Sequence, residues 1–291
     1  MPLKETFMQD PLVYLNGEMT PLSEAKIPVL DRGFIFGDGI YDVIPMYGRR
    51  LFRAKQHIAR LFRSMHEVAI PNPHTEEEWM ALIARVSDAH PADDQLIYMQ
   101  VTRGVAKRAH AFPPEVKPTV FIMTNGLTVP TAQVRDSGVA CVSVEDQRWL
   151  RCDIKSTSLL GNVLAAQHAA EHGALEAIQF RDGFLTEGAS SNVWIVKNGV
   201  LMAPPRDRLI LEGIRYGLME ELCVSCNIPF QARKIARDEV FAADEVLLSS
   251  AGREVLPVST IDGKNIANGK PGPLFKKLYA AYQDAKNQSC Q

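Results

Sequence analysis

The chain has 291 residues, 46% hydrophobic and 23% charged, with 32 Lys and Arg against 34 Asp and Glu. This composition fits a globular protein of one or two domains and excludes disordered, collagen-like and coiled-coil chains, while a net charge of −2 makes no electrostatic case for nucleic acid or an anionic membrane. The opening MPLKETFMQD has no apolar core of signal-peptide length, no run nears the ~18 apolar residues of a membrane helix, and five unevenly spaced cysteines argue against a disulfide framework, so a soluble, reduced, cytoplasmic protein is expected.

In chain order, Asn16-Gly17 between Val13-Tyr14-Leu15 and Met19 predicts a tight hairpin, because both residues of such a pair tolerate positive φ. His57, Ile58, Leu61, Phe62, Met65 and Val68 recur at helical spacing before Pro71, and Trp79, Leu82, Ile83 and Val86 predict a second helix. Thr119 to Met123 reads as a strand. The turn-rich stretch after it predicts a linker at about residues 124–132 between a smaller domain, 1–130, and a larger one, 131–291. Residues 139–144 read as a strand, and residues 159–172 as a helix stopped by Gly173. Asp182-Gly183, Asn198-Gly199 and Asp262-Gly263 predict further hairpins, and residues 215–226 and 274–285 two more helices. Hairpins interleaved with helices give an α+β or mixed α/β class in two domains.

Several residues could carry chemistry. Lys155, just before a helix start, is either a solvated surface lysine or an amine that attacks a carbonyl. Glu187 is either a polar turn residue or a carboxylate at the mouth of a sheet beside Gly188. A lysine that makes a Schiff base and an acid that keeps a pyridine nitrogen protonated are the pair pyridoxal 5'-phosphate requires. Its phosphate needs an anion site, for which the helix start at Leu211-Glu212-Gly213-Ile214-Arg215 and the loop Ser249-Ser250-Ala251-Gly252 are candidates. Arg60 could join it, or belong to a solvated basic set with Arg49, Arg50, Arg53, Lys55 and Arg63, which lacks the interleaved aromatics of a nucleic-acid platform. Arg108 and His110 share a face of extended backbone and form either a carboxylate trap or an exposed basic loop. Gly37-Asp38-Gly39 lacks the full nucleotide fingerprint, and Cys223 and Cys226 have no second metal-ligand pair, so buried thiols and no metal are expected.

These segments together resemble the fold-type IV pyridoxal-phosphate enzymes, the class IV aminotransferases, and most of all their D-amino-acid-specific branch. The resemblance runs collinearly over roughly residues 14–260: Asp31 to Tyr41, His57 to Leu61, Arg108-Ala109-His110, Arg148 to Ser156, Thr186 to Asn192, Ile210 to Ile214 and Ser249-Ser250. It implies Lys155 as the Schiff-base lysine and Glu187 as the partner of the ring nitrogen. It further implies a phosphate held by Arg60, the Ile214 and Arg215 amides and Ser250, with Gly213 and Ala251 in the same cup and Leu211 against the ring. Tyr41, Arg108 and His110 would bind the substrate carboxylate, the last two reaching in from the second subunit of a homodimer. Arg215 and Ala251 stand where close relatives carry hydroxyls, and Arg215 is expected to bring charge in their place. The reaction implied is ping-pong transamination between a D-amino acid and a 2-oxo acid; an L-branched-chain aminotransferase, an aminodeoxychorismate lyase and a non-catalytic pyridoxal-phosphate-binding protein are the alternatives.

Overall fold

In the computed structural model, which describes residues 10–288, all four turn pairs close hairpins. Asn16, Asp182, Asn198 and Asp262 take φ of 51°, 51°, 51° and 52°, and the glycine after each is also positive. That is the backbone a two-residue hairpin turn requires. The leader-free N-terminus read from the sequence falls largely on residues 1–9, which lie outside the described residues, as does Cys290.

The chain divides into two compact units, the first running to Leu127 and including Lys155–Ser158, the second comprising Thr128–Ile154 and the chain from Leu159. In the first, the elements are β1 (Leu12–Leu15), β2 (Glu18–Pro21), α1 (Arg32–Phe36), β3 (Gly39–Tyr47), β4 (Arg50–Leu51), α2 (Ala54–Glu67), α3 (Glu76–Asp88), β5 (Gln95–Thr102) and β6 (Thr119–Gly126). The strands form one antiparallel sheet in the order β2-β1-β6-β5-β3-β4. Ile58, Leu61 and Met65 of α2 and Trp79, Ile83 and Val86 of α3 are buried, as their spacing predicts. Asp31 caps α1 through the Gly33 N–H at 2.8 Å and accepts from the Thr102 and Thr119 hydroxyls at 3.0 and 2.7 Å, which ties the helix to β5 and β6.

The second unit contains α4 (Ala132–Ser137), β7 (Val139–Glu145), α5 (Leu160–Glu171), β8 (Glu176–Arg181), β9 (Phe184–Gly188), β10 (Asn192–Lys197), β11 (Val200–Ala203), α6 (Ile214–Ser225), β12 (Phe230–Ala232), α7 (Arg237–Phe241), β13 (Glu245–Ser250), β14 (Glu254–Ile261), β15 (Lys264–Asn265) and α8 (Pro273–Gln288). Its sheet runs β12-β11-β10-β13-β14-β7-β8-β9, with β15 on β14. Parallel pairs at β7–β8, β7–β14 and β11–β12 join the antiparallel hairpins, so the class is mixed α/β. Both faces are covered. Ile178 and Phe180 of β8 join Val193, Ile195, Val246 and Leu248 on one side, while Ala177, just before them, meets Ala165 and Ala169 of α5 on the other. Val193 to Val196 of β10 and Val246 to Leu248 of β13 therefore read as continuous apolar runs without polar alternation. Cys223 is buried and its thiol is pushed up to about 11 by burial, whereas Cys226 is only half-buried. Among the described residues no helix is long and apolar enough to cross a membrane.

Candidate active site

Lys155 lies in a segment that the first unit takes in by main-chain hydrogen bonds. The Tyr41 N–H donates to the Lys155 carbonyl at 2.9 Å, Ile40 and Ser156 form an antiparallel bridge, and the Thr157 N–H donates to the Gly39 carbonyl at 2.9 Å. Thr157 and Ser158 hydroxyls both donate to the Gly37 carbonyl at 3.0 Å. The lysine thus extends the edge of β3, and its Nζ stands 4.2 Å from the centre of the Tyr41 ring. Tyr41 stacks on Tyr98 at 5.5 Å, and burial pushes the Tyr98 phenol up to about 12. Lys155 is therefore no loosely solvated lysine.

Arg60 leaves the basic set it was grouped with: it is 4% exposed. Its Nε and Nη2 donate to the two Asp42 carboxylate oxygens at 2.8 and 2.9 Å, and His57 Nδ1 meets Asp42 Oδ1 at 2.7 Å. Burial opposes the Asp42 charge, but Arg60 and His57 outweigh it and hold the carboxyl well below the usual range. Asp42 was missed. The signal was available: a lone carboxylate inside the apolar strand Ile40 to Met46 demands a buried cation.

Arg108 and His110 sit in an exposed loop, both against Phe36, at 5.4 Å from Arg108 Cζ and 5.5 Å between the His110 and Phe36 rings. The loop's backbone is held by buried Arg32, whose guanidinium donates to the Ala109 carbonyl at 2.6 Å and the His110 carbonyl at 3.2 Å. Arg32 Nε is paired with Asp38 at 2.7 Å, and Arg103 Nε reaches the same carboxylate at 2.8 Å. Burial opposes this charge too, and the two arginines hold Asp38 below the ordinary range.

In the second unit Glu187 is a strand residue of β9, 5% exposed, and not a residue of a polar turn. Arg148 Nη1 donates to Oε1, the Leu211 N–H reaches the same oxygen at 3.1 Å, and Asn192 Nδ2 donates to Oε2 at 3.2 Å. Arg148 also grips Asp146 in a fork, both contacts at 2.9 Å, so one guanidinium is shared between two carboxylates. Asn192 donates as well to the Leu211 carbonyl at 2.9 Å. A Cβ on Gly213 would stand 2.1 Å from Asn192 Oδ1, so any larger residue at this helix start would have to displace that amide. Sequence reasoning assigned no role to Arg148 or Asn192.

Gly213 caps α6, leaving the Ile214 and Arg215 amides in its first turn. The Arg215 side chain, 2% exposed, donates from Nε to the Tyr282 hydroxyl at 3.2 Å, an engagement with α8 that the expected charge compensation did not foresee. Ser250 ends β13, its Oγ accepting from the Arg253 N–H at 3.3 Å, and Ala251 opens the turn to β14. Leu211 contributes its main chain to the Glu187 cluster.

A lysine fixed by its backbone beside a tyrosine ring, a buried carboxylate bonded to an arginine, and a helix start led by a closely packed glycine are the kinds of group a pyridoxal-phosphate enzyme needs. The amino-transferase class IV family model matches residues 39–261. A D-alanine aminotransferase of Staphylococcus aureus is 42% identical over 93% of this chain and 96% of the relative, and one of Bacillus licheniformis is 40% identical over 94% and 96%. The solved branched-chain amino acid aminotransferase of Escherichia coli superposes with a TM-score of 0.90 at 24% identity, covering 95% of this chain and 94% of that one, a likeness of fold. The chain belongs to the class IV aminotransferases, and with them to the pyridoxal-phosphate enzymes of fold type IV.

The Asp42 pair gives a stability prediction. A carboxyl with a depressed folded pKa stabilises above the unfolded value of about 4, and that contribution is lost as pH falls below it. Asp42→Asn leaves buried Arg60 without its carboxylate and is expected to cost about 3–5 kcal/mol at pH 7. The deficit should shrink toward pH 3 in urea unfolding; a deficit independent of pH would show that the charge of Asp42 is not what matters.

Proposed function

We propose that this enzyme transfers the amino group of a D-amino acid, D-alanine or an acidic one, to a 2-oxo acid, with pyridoxal 5'-phosphate carried on Lys155. The observation that carries the reaction type is the backbone-fixed Lys155 with its Nζ beside Tyr41. The D preference is supported by relatives called D-alanine aminotransferase that match nearly the whole chain.

When bound, the cofactor supplies an electron sink for negative charge at the substrate Cα. The chain's own groups do the rest. Lys155 Nζ accepts the Cα proton. Glu187, which accepts hydrogen bonds from Arg148, Asn192 and the Leu211 N–H, would hold a proton on the ring nitrogen. Arg60, the Ile214 and Arg215 amides and the Ser250 hydroxyl bind the phosphate. In this reading Arg215 acts through its N–H, since its Nε is bonded to Tyr282. Leu211 packs on the ring, and Gly213 and Ala251 leave room for the phosphate. Tyr41, Arg108 and His110 hold the substrate carboxylate and so decide which enantiomer turns its Cα–H toward Lys155. We further propose a cytoplasmic homodimer in which Arg108 and His110 serve the second copy's site. Exposed Ile27, Val29, Leu30 and Phe34 in the first unit support such a contact.

Borohydride reduction of the cofactor-loaded protein followed by peptide mapping is expected to place the pyridoxyl group on Lys155; an adduct on another lysine sinks the assignment. Glu187→Gln should retain cofactor and lose roughly a hundredfold in kcat, ~2.7 kcal/mol, and near-normal turnover would reduce Glu187 to a structural ion. Enantiomer preference in kcat/KM tests the function itself: D-donors should lead, and Arg108→Ala should raise their KM roughly ten- to a hundredfold. Preference for L-leucine or L-valine over every D-amino acid would move the enzyme to the branched-chain type.

A further inference from the structure

The turn from β13 to β14 returns through residues 251–253, with Ser250 opposite Glu254. Glu254 has φ of 59°, in the left-handed region that a side chain disfavours and that short hairpin loops normally give to glycine. It is also fully buried, at 0% exposure. Both features work against a glutamate. What holds it there is a set of donors from two other elements: Arg135 Nη2 of α4 at 2.6 Å, and Gln283 Nε2 and Lys286 Nζ of α8 at 3.1 and 3.0 Å. A conformation of this kind persists only where its surroundings over-determine it. On the other side of the turn, Arg253 Nη1 donates to buried Glu176 at 2.9 Å. The turn is thus anchored at adjacent residues, outward to α4 and α8 and inward to β8.

We propose that Glu254 is a positioning residue for the phosphate: Arg135, Gln283 and Lys286 hold it left-handed, and that backbone presents Ser250 and Ala251 to the phosphate group. The proposal rests on the reading that these two residues face the phosphate. It makes α8 a determinant of cofactor affinity at a distance. A network that merely fastened α8 to the sheet would affect stability, and would weaken the binding of any ligand of the site without regard to its phosphate.

The full-length chain is titrated with pyridoxal 5'-phosphate and with pyridoxal, which has the same aldehyde and ring but no phosphate, following the bound chromophore. The parent should bind the phosphate ester far more tightly. Glu254→Ala should narrow that gap about tenfold by weakening the phosphate ester alone. Glu254→Gly, which takes positive φ without any partner, should restore most of it. Lys286→Met, which leaves Arg135 and Gln283 in place, should narrow the gap a few-fold, and decides the matter if the alanine variant does not fold. A parent-like gap in Glu254→Ala or Lys286→Met, equal weakening of both ligands, or no rescue by glycine overturns the role of Glu254. A parent that does not distinguish the two ligands overturns the cofactor reading, and the proposal with it.

Discussion

Burying a carboxylate is costly unless cations and donors meet it, and at Glu187 that requirement organises one face of the second unit. Arg148 comes from the segment after β7, Asn192 from the start of β10, and the Leu211 N–H from the approach to α6. Asn192 in turn lies where a Cβ on Gly213 would stand, so a larger residue at the helix start would have to displace the same amide that holds Glu187. The support of Glu187 and the start of α6 are therefore one construction. Displacing Asn192 would disturb both, and a side chain at position 213 would do so from the other end.

The first unit solves the same problem twice. Asp42 is matched by Arg60 and His57, and Asp38 by Arg32 and Arg103. The second match reaches further than its own charge. Arg32 carries the carbonyls of Ala109 and His110, while the carbonyls of Gly37 and Gly39, on either side of Asp38, receive Thr157 and Ser158. One half-buried carboxylate, Asp38, thus stands between the loop that bears Arg108 and the segment that bears Lys155.

What was legible in the sequence was what is local. The turn pairs at Asn16, Asp182, Asn198 and Asp262 and the helices around Leu61, Ile83 and Tyr216 depend on neighbours a few residues away, and periodicity reports them directly. Helices α1, α4 and α7, of five, six and five residues, are too short to show a period. Lys155 and Glu187 stood out as candidates by residue type and by resemblance, but the groups that support them did not. Arg148 meets Glu187 across 39 residues, and Arg135 meets Glu254 across 119. Nothing in a linear pattern marks such a pair except the bare demand that a buried charge be matched.

The return of Lys155–Ser158 to the first unit is the feature least visible beforehand and the one with most consequence. A lysine has four rotatable side-chain bonds, and holding its amine costs entropy that grows with every unanchored atom. Here the main chain is fixed at the residue and just after it: the Lys155 N–H donates to Ser64 Oγ at 3.4 Å, its carbonyl accepts from the Tyr41 N–H, and the Thr157 N–H donates to the Gly39 carbonyl, so mainly the side chain remains to be ordered. The Tyr41 ring then offers that side chain a surface at 4.2 Å. In the proposed function Lys155 would leave and regain its partner in each cycle of amino transfer. An anchored backbone beneath a mobile amine meets both demands, because the motion is confined to the bonds beyond Cα and the start of every excursion is the same.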